Sequence, residues 1–145
     1  MSRVTILKQV DLFRELSEEQ LQQIGKIAHE EIFATGSIVC QQGDHADKMY
    51  IVSEGQVEVI VENSNGRQQS MLYLGSGQII GEMTLVDEGK RSATVIAAED
   101  DTKVYAIPNT EFTALCLSNT GIGYIIMRNI AQDMSFKLRH MGFDS

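Results

Sequence analysis

A carboxylate and a guanidinium, Glu82 and Arg91, stand on one short segment bracketed by Gly81 and Gly89. Glycine lets a backbone come close to a ligand. A helical turn opening at Glu82 would aim free backbone N–H groups outward, an arrangement that attracts anions. Arg91 carries a planar fork of donors that matches phosphate oxygens. Ionised Glu82 only accepts hydrogen bonds, which suits a sugar hydroxyl. Together these groups can hold a small molecule bearing one phosphate and one ribose. Gly-Glu and Arg-Ser pairs also occur as plain turn and surface residues, and residue chemistry by itself leaves both readings open.

The flanking elements must position that segment. Ser17-Glu18-Glu19-Gln20 is a capping box, and Leu21, Ile24, Ile27 and Ala28 continue at helical spacing, so a helix is predicted over 18–29. Val10, Leu12, Phe13 and Leu16 form a short apolar element before it. From about residue 30 to 107 the pattern changes to short β-rich runs separated by turn residues. These runs are 32–34, 38–40, 49–52, 57–62, 68–74, 93–97 and 103–107. Asn65-Gly66 predicts a two-residue hairpin with both positions at positive φ. Pro108 ends the strands, Asn109 or Thr110 caps a helix holding Phe112, Leu115 and Leu117, and a longer helix follows over 122–141. The expected fold is mainly β with flanking helices: an eight-stranded, jelly-roll-like β roll with a short N-terminal helix and C-terminal helices. One domain, 1–145, divides into a helical lead-in (1–30), the roll (31–107) and the C-terminal helices (109–141).

Composition narrows the function classes. A chain of 145 residues with 43% hydrophobic content supports one globular core. Net charge −8 argues against a nucleic-acid surface. No apolar run approaches the roughly 18 residues that span a bilayer. Met1-Ser2-Arg3-Val4-Thr5 lacks signal-peptide features, and Cys40 and Cys116 lack metal-ligand spacing, so both are expected as reduced thiols in the cytoplasm. His29, His45 and His140 lie far apart, without the His-x-His pair of a cupin-type metal enzyme. Nothing favours Cys40 or His29 as a haem ligand. A non-enzymatic chain without metal or cofactor is expected.

Gly81-Glu82-Met83-Thr84-Leu85 and Lys90-Arg91-Ser92-Ala93-Thr94-Val95 resemble the phosphate-binding cassette of the cyclic nucleotide-binding domain family, of the bacterial catabolite activator and kinase regulatory-subunit type. The resemblance extends to Leu12–Glu19, Gly43–Val52 and Gly55–Val59, in family order. Two positions depart from the pattern: Lys90 stands where Pro is frequent, and Thr84 where a smaller residue is common. The resemblance implies that Arg91 pairs with the exocyclic oxygens of a cyclic phosphate and that Glu82 accepts from the ribose 2′-OH. The other reading of Glu82 is a carboxylate that complements a helix dipole. Gly81 and the amides of Met83, Thr84 and Leu85 would line the phosphate and sugar, and Ser92, followed by Ala93, would donate its hydroxyl. In the family, Thr in the place of Ser92 accompanies cGMP preference, whereas Ser occurs in the cAMP-binding catabolite activator, so cAMP is favoured over cGMP. Val59, Met71, Leu74 and Ile79 would carry the base, or simply pack in the core.

Met127, Ala131, Met134, Leu138 and Met141 form one heptad seam on the last helix, with Ile122, Ile125, Ile126 and Ile130 on an adjacent face. In dimeric bacterial relatives this helix pairs, and a Thr-Ser pair near its end contacts adenine. Met141-Gly142 occupies that register here, leaving an apolar lid from Met141 or Phe143 as the replacement. The expectation is a stand-alone sensor that signals through its C-terminal helix to a separate protein effector, as a homodimer through that helix, with neither a DNA-binding region nor a membrane anchor. The competing class is a degenerate β-roll interaction module that no longer binds a nucleotide.

Overall fold

The computed structural model describes residues 2–87 and 89–142. Eight strands form two antiparallel four-stranded sheets. The first runs in the order β1 (His29–Phe33), β8 (Thr102–Pro108), β3 (Lys48–Glu54), β6 (Ile79–Ile80). The second runs β2 (Ile38–Cys40), β7 (Thr94–Ala97), β4 (Val57–Glu62), β5 (Gln68–Leu74). Helices α1 (Arg3–Lys8) and α2 (Glu18–Lys26) precede the roll, and α3 (Asn109–Ser118) and α4 (Thr120–His140) follow it.

Strands β3 and β8 are buried on both faces because they sit between two cores. Met49, Ile51, Tyr105 and Ile107 pack with the helices, against Leu7, Phe13, Phe112 and Ile126. The alternate residues Tyr50, Val52, Val104 and Ala106 pack between the sheets, against Val57 and Val95. Side-chain alternation along a strand produces that division.

The capping box is present as read: Ser17 Oγ accepts from the Gln20 amide at 3.2 Å, and Gln20 Oε1 accepts from the Ser17 amide at 2.9 Å. Helix α2 stops at Lys26, so β1 begins at His29, inside the stretch expected to be helical. Two elements were not anticipated, α1 and the two-residue β6. Pro108 ends β8, as expected.

The 57–74 hairpin corrects the expected turn. Only Gly66 adopts positive φ, at 78°, and Asn63 N donates to Arg67 O at 2.9 Å, which encloses a three-residue loop. The cause is Asn63, whose Oδ1 accepts from the amides of Asn65 and Arg67 and sets the turn one residue early.

Helix α4 presents two faces. Ile122, Ile126, Asn129 and Ile130 are buried, while Met127, Ala131, Leu138 and Met141 of the heptad seam are exposed. Met134 departs from the seam, since it is half-buried against the helical core. Asn129 is the polar group in that interface: its Nδ2 donates to Leu12 O (2.8 Å) and Arg14 O (3.0 Å). Arg14 Nη2 donates back to Asn129 O, Gln132 Oε1 and Asp133 Oδ1 at 3.1–3.2 Å. These bonds clamp α4 to the loop after the 3₁₀ turn Asp11–Phe13. Phe143, the second residue expected as a lid, lies outside the described residues.

Candidate functional site: a cavity under the Gly81–Ala93 segment

Strand β6 pairs with β3 (Ile80 opposite Tyr50) and delivers the chain to Gly81, which sits in the left-handed region at φ 84°. A 3₁₀ turn, Glu82–Leu85, opens there as expected. Thr84 N donates to Gly81 O at 3.2 Å, and Thr84 Oγ1 donates to the same oxygen at 2.6 Å. Asn109 Nδ2 donates to Thr84 Oγ1 at 2.9 Å and ties the turn to the start of α3.

The returning chain is anchored to the loop before β3. Lys90 bridges His45, Arg91 N donates to Asp44 O at 2.7 Å, and Gly43 N donates to Arg91 O at 2.9 Å. The Arg91 side chain then runs inward beneath Gly81. A Cβ at position 81 would collide with Arg91 Nη1, so glycine serves both the positive φ and the close approach. Arg91 is 7% exposed. Its Nη2 donates to Lys48 O at 2.5 Å, and its guanidinium carbon lies 5.4 Å from the Tyr50 ring centroid. Nε and Nη1 are buried without a hydrogen-bond partner, and Arg91 makes no ion pair with any described residue. A buried, unpaired cation is costly. Two free donors on a fixed guanidinium are the arrangement an oxyanion would satisfy.

Arg91 and Glu82 line the same cavity, of about 370 Å³. Glu82 is half-buried, and its side chain makes no hydrogen bond or ion pair with a described residue. Burial pushes its pKa up, and Asp133 of α4 adds to the shift. Lys137 and Arg14 oppose it and Asp11 reinforces it.

Of the other expected residues, Gly81, Met83, Thr84, Ser92, Ala93 and Ile79 line this cavity. Four do not. Leu85, at the end of the 3₁₀ turn, faces the helical core and an apolar groove with Phe112, Cys116 and Met127. Val59 and Leu74 pack between the sheets, and Met71 is 52% exposed on β5, the edge strand farthest from β2. The Thr84 amide is occupied by Gly81 O rather than free.

Sequence reading missed Cys40, Ile80, Asp87, Lys90 and Val95 in the wall. Asp87 and Lys90 lie within the segment itself, so charge and adjacency were a usable signal. Cys40 reaches the cavity only because β2 pairs with β7, opposite Val95, and no local pattern reports that register. Burial pushes its thiol pKa up, and the Arg91 charge partly offsets this.

Residues 30–119 match the family profile of the cyclic nucleotide-binding domain. The chain belongs to this family. The cyclic nucleotide-binding domain is 31% identical over 109 residues to the cyclic AMP receptor protein of Thermus thermophilus, covering 75% of this chain and 50% of that one. Its fold superposes with a TM-score of 0.83 on the N-terminal domain of a transcriptional regulator from Streptomyces coelicolor, at 26% identity over 89% of this chain and 91% of that one. The catabolite activator protein of Thermus thermophilus gives a TM-score of 0.78 at 28% identity, over 91% of this chain and 60% of that one. The chain spans half or less of the length of the curated relatives it matches. Among the described residues of this domain, no cluster of three His, Cys, Asp or Glu side chains could hold a metal ion, and no helix is long and apolar enough to cross a membrane.

Proposed function

We propose that this domain binds a cyclic nucleotide, cAMP in preference to cGMP, and acts as a sensor. Arg91 takes the phosphate through Nε and Nη1, and Glu82 accepts from the ribose 2′-OH. Gly81, Met83, Thr84, Ser92 and Ala93 border the phosphate and sugar, and Ile79 supplies apolar surface for the base. The single observation behind this reading is the buried Arg91 guanidinium, with two unpartnered donors in a cavity it shares with Glu82. The cAMP preference rests on Ser92.

Signalling runs through α4 in this reading. The charges of Asp133 and Lys137 on that helix act on Glu82, so a ribose on Glu82 alters the environment of the α4 clamp. The helix shift is bounded by the difference in ligand affinity between its two positions. The exposed seam of Met127, Ala131, Leu138 and Met141 serves a homodimer, and a separate protein effector receives the signal. The domain has no catalytic step of its own, and a cytoplasmic setting suits its two free thiols, Cys40 and Cys116.

A melting screen with cAMP, cGMP and their 2′-deoxy forms tests the reading. At about a hundredfold excess over Kd the true ligand stabilises by about 2.7 kcal/mol. The 2′-deoxy form should give a much smaller shift. No response to either nucleotide would leave an interaction module on an inert roll.

A further inference from the structure

We propose that Lys90 is a second phosphate-side cation of this site, placed at its mouth, and that it supplies the salt-dependent part of nucleotide binding. The proposal rests on the nucleotide reading above.

The described charges in the cavity wall are Glu82, Asp87, Lys90 and Arg91. Without Lys90 the two carboxylates outnumber the one cation. The whole chain carries net charge −8, so an anionic ligand approaches against the field of the protein. Lys90 brings the sum in the described wall to zero and places the compensating charge where the ligand enters.

Its backbone position does not depend on a ligand. Lys90 bridges His45, and the bond on each side of it is also fixed: Ala46 N donates to Gly89 O at 3.2 Å, and Arg91 N donates to Asp44 O at 2.7 Å. Lys90 is exposed, unlike Arg91, and makes no ion pair with a described residue, whereas Lys8 and Lys103 do. Arg91 is therefore the deep, geometrically fixed donor. Lys90 is a mobile point charge on a flexible stem, suited to attraction at the rim rather than to bidentate recognition.

Calorimetric titration of wild type, Lys90→Met and Lys90→Arg with cAMP, at low and at high ionic strength, tests the assignment. An exposed pair of this kind is worth up to about fivefold in affinity. Lys90→Met should bind about that much more weakly at low salt and match wild type at high salt, because screening removes the contribution. Lys90→Arg should retain wild-type affinity. Equal binding by wild type and Lys90→Met at low salt overturns the proposal, as does a loss that Arg fails to rescue or that salt leaves unchanged. If wild type binds neither cAMP nor cGMP, the nucleotide reading itself falls and takes the Lys90 role with it. Binding by wild type with no Lys90 effect removes only the latter.

Discussion

Arg91 and Glu82 reach one cavity from supports of different kinds. Around Arg91 the backbone is bonded on both sides to the Gly43–Asp44 loop, and the side chain is wedged under Gly81 against Lys48 O and Tyr50. Glu82 stands on a single 3₁₀ turn with no side-chain partner among the described residues, and its pKa is raised by burial first and then modulated by charges on α4 and at Asp11 and Arg14. Under the proposed function the contrast separates two jobs: the arginine side would be a fixed template for an anion, and the glutamate side would be the adjustable part that communicates with the terminal helix.

The largest effect should come from Arg91→Ala. Removing one partner of a buried charged pair costs about 3–5 kcal/mol, so affinity for the nucleotide should fall by about two to four decades in calorimetry. The melting temperature of the unliganded domain should change little, because loss of the bond to Lys48 O and of the Tyr50 contact is offset by removal of a buried cation that had no counter-charge. A lower melting point together with unchanged affinity would reverse the assignment of the template.

Gly81→Ala should destabilise the unliganded domain by about 1–2 kcal/mol, since an L side chain is strained at this φ. It should also weaken binding, because the new Cβ displaces Arg91 Nη1. Denaturant unfolding and titration read the two effects separately.

Glu82→Gln attacks the adjustable side. Affinity for cAMP should fall about tenfold, in line with loss of a charged acceptor, while affinity for 2′-deoxy-cAMP should barely change. A pH effect accompanies it. The pKa of Glu82 is raised in the folded state, so its stabilising contribution is complete below the ordinary carboxylate value and is lost as pH rises through the raised one. Melting temperature should therefore decline across that window in the wild type, and the decline should be shallower in Glu82→Gln.

The smallest effect belongs to the clamp. Arg14→Gln removes the donor shared by Asn129 O, Gln132 and Asp133. It should cost about 1 kcal/mol of stability. Faster hydrogen exchange should be confined to the second half of α4, and equal exchange rates along α4 would break the proposed division between the two sides.

Much of this was legible locally. Ser17 and Gln20 announce a helix start through their own side chains, and the Gly81–Ala93 segment carries its charges and glycines in one continuous stretch. What escaped was long-range. Cys40 enters the wall through strand pairing, and Val59, Leu74 and Met71 miss it because β4 and β5 lie toward the far edge of their sheet. A two-residue strand such as Ile79–Ile80 has no periodicity to read. Asn129 was invisible as a clamp residue because its acceptors, Leu12 O and Arg14 O, are backbone groups more than a hundred positions away.

Strand β3 holds apolar side chains on both of its faces, with Met49 and Ile51 on one and Tyr50 and Val52 on the other. Sliding it by one position would exchange one greasy set for another, so solvent aversion alone does not penalise the slip. The alignment must be enforced at the ends. Gly77 N and Gln78 O grip Val52 at 2.8 and 3.0 Å, and Arg91 grips the carbonyl of Lys48 at the opposite end. The guanidinium assigned to a passing phosphate thus also acts as a registration pin for the central strand of the fold.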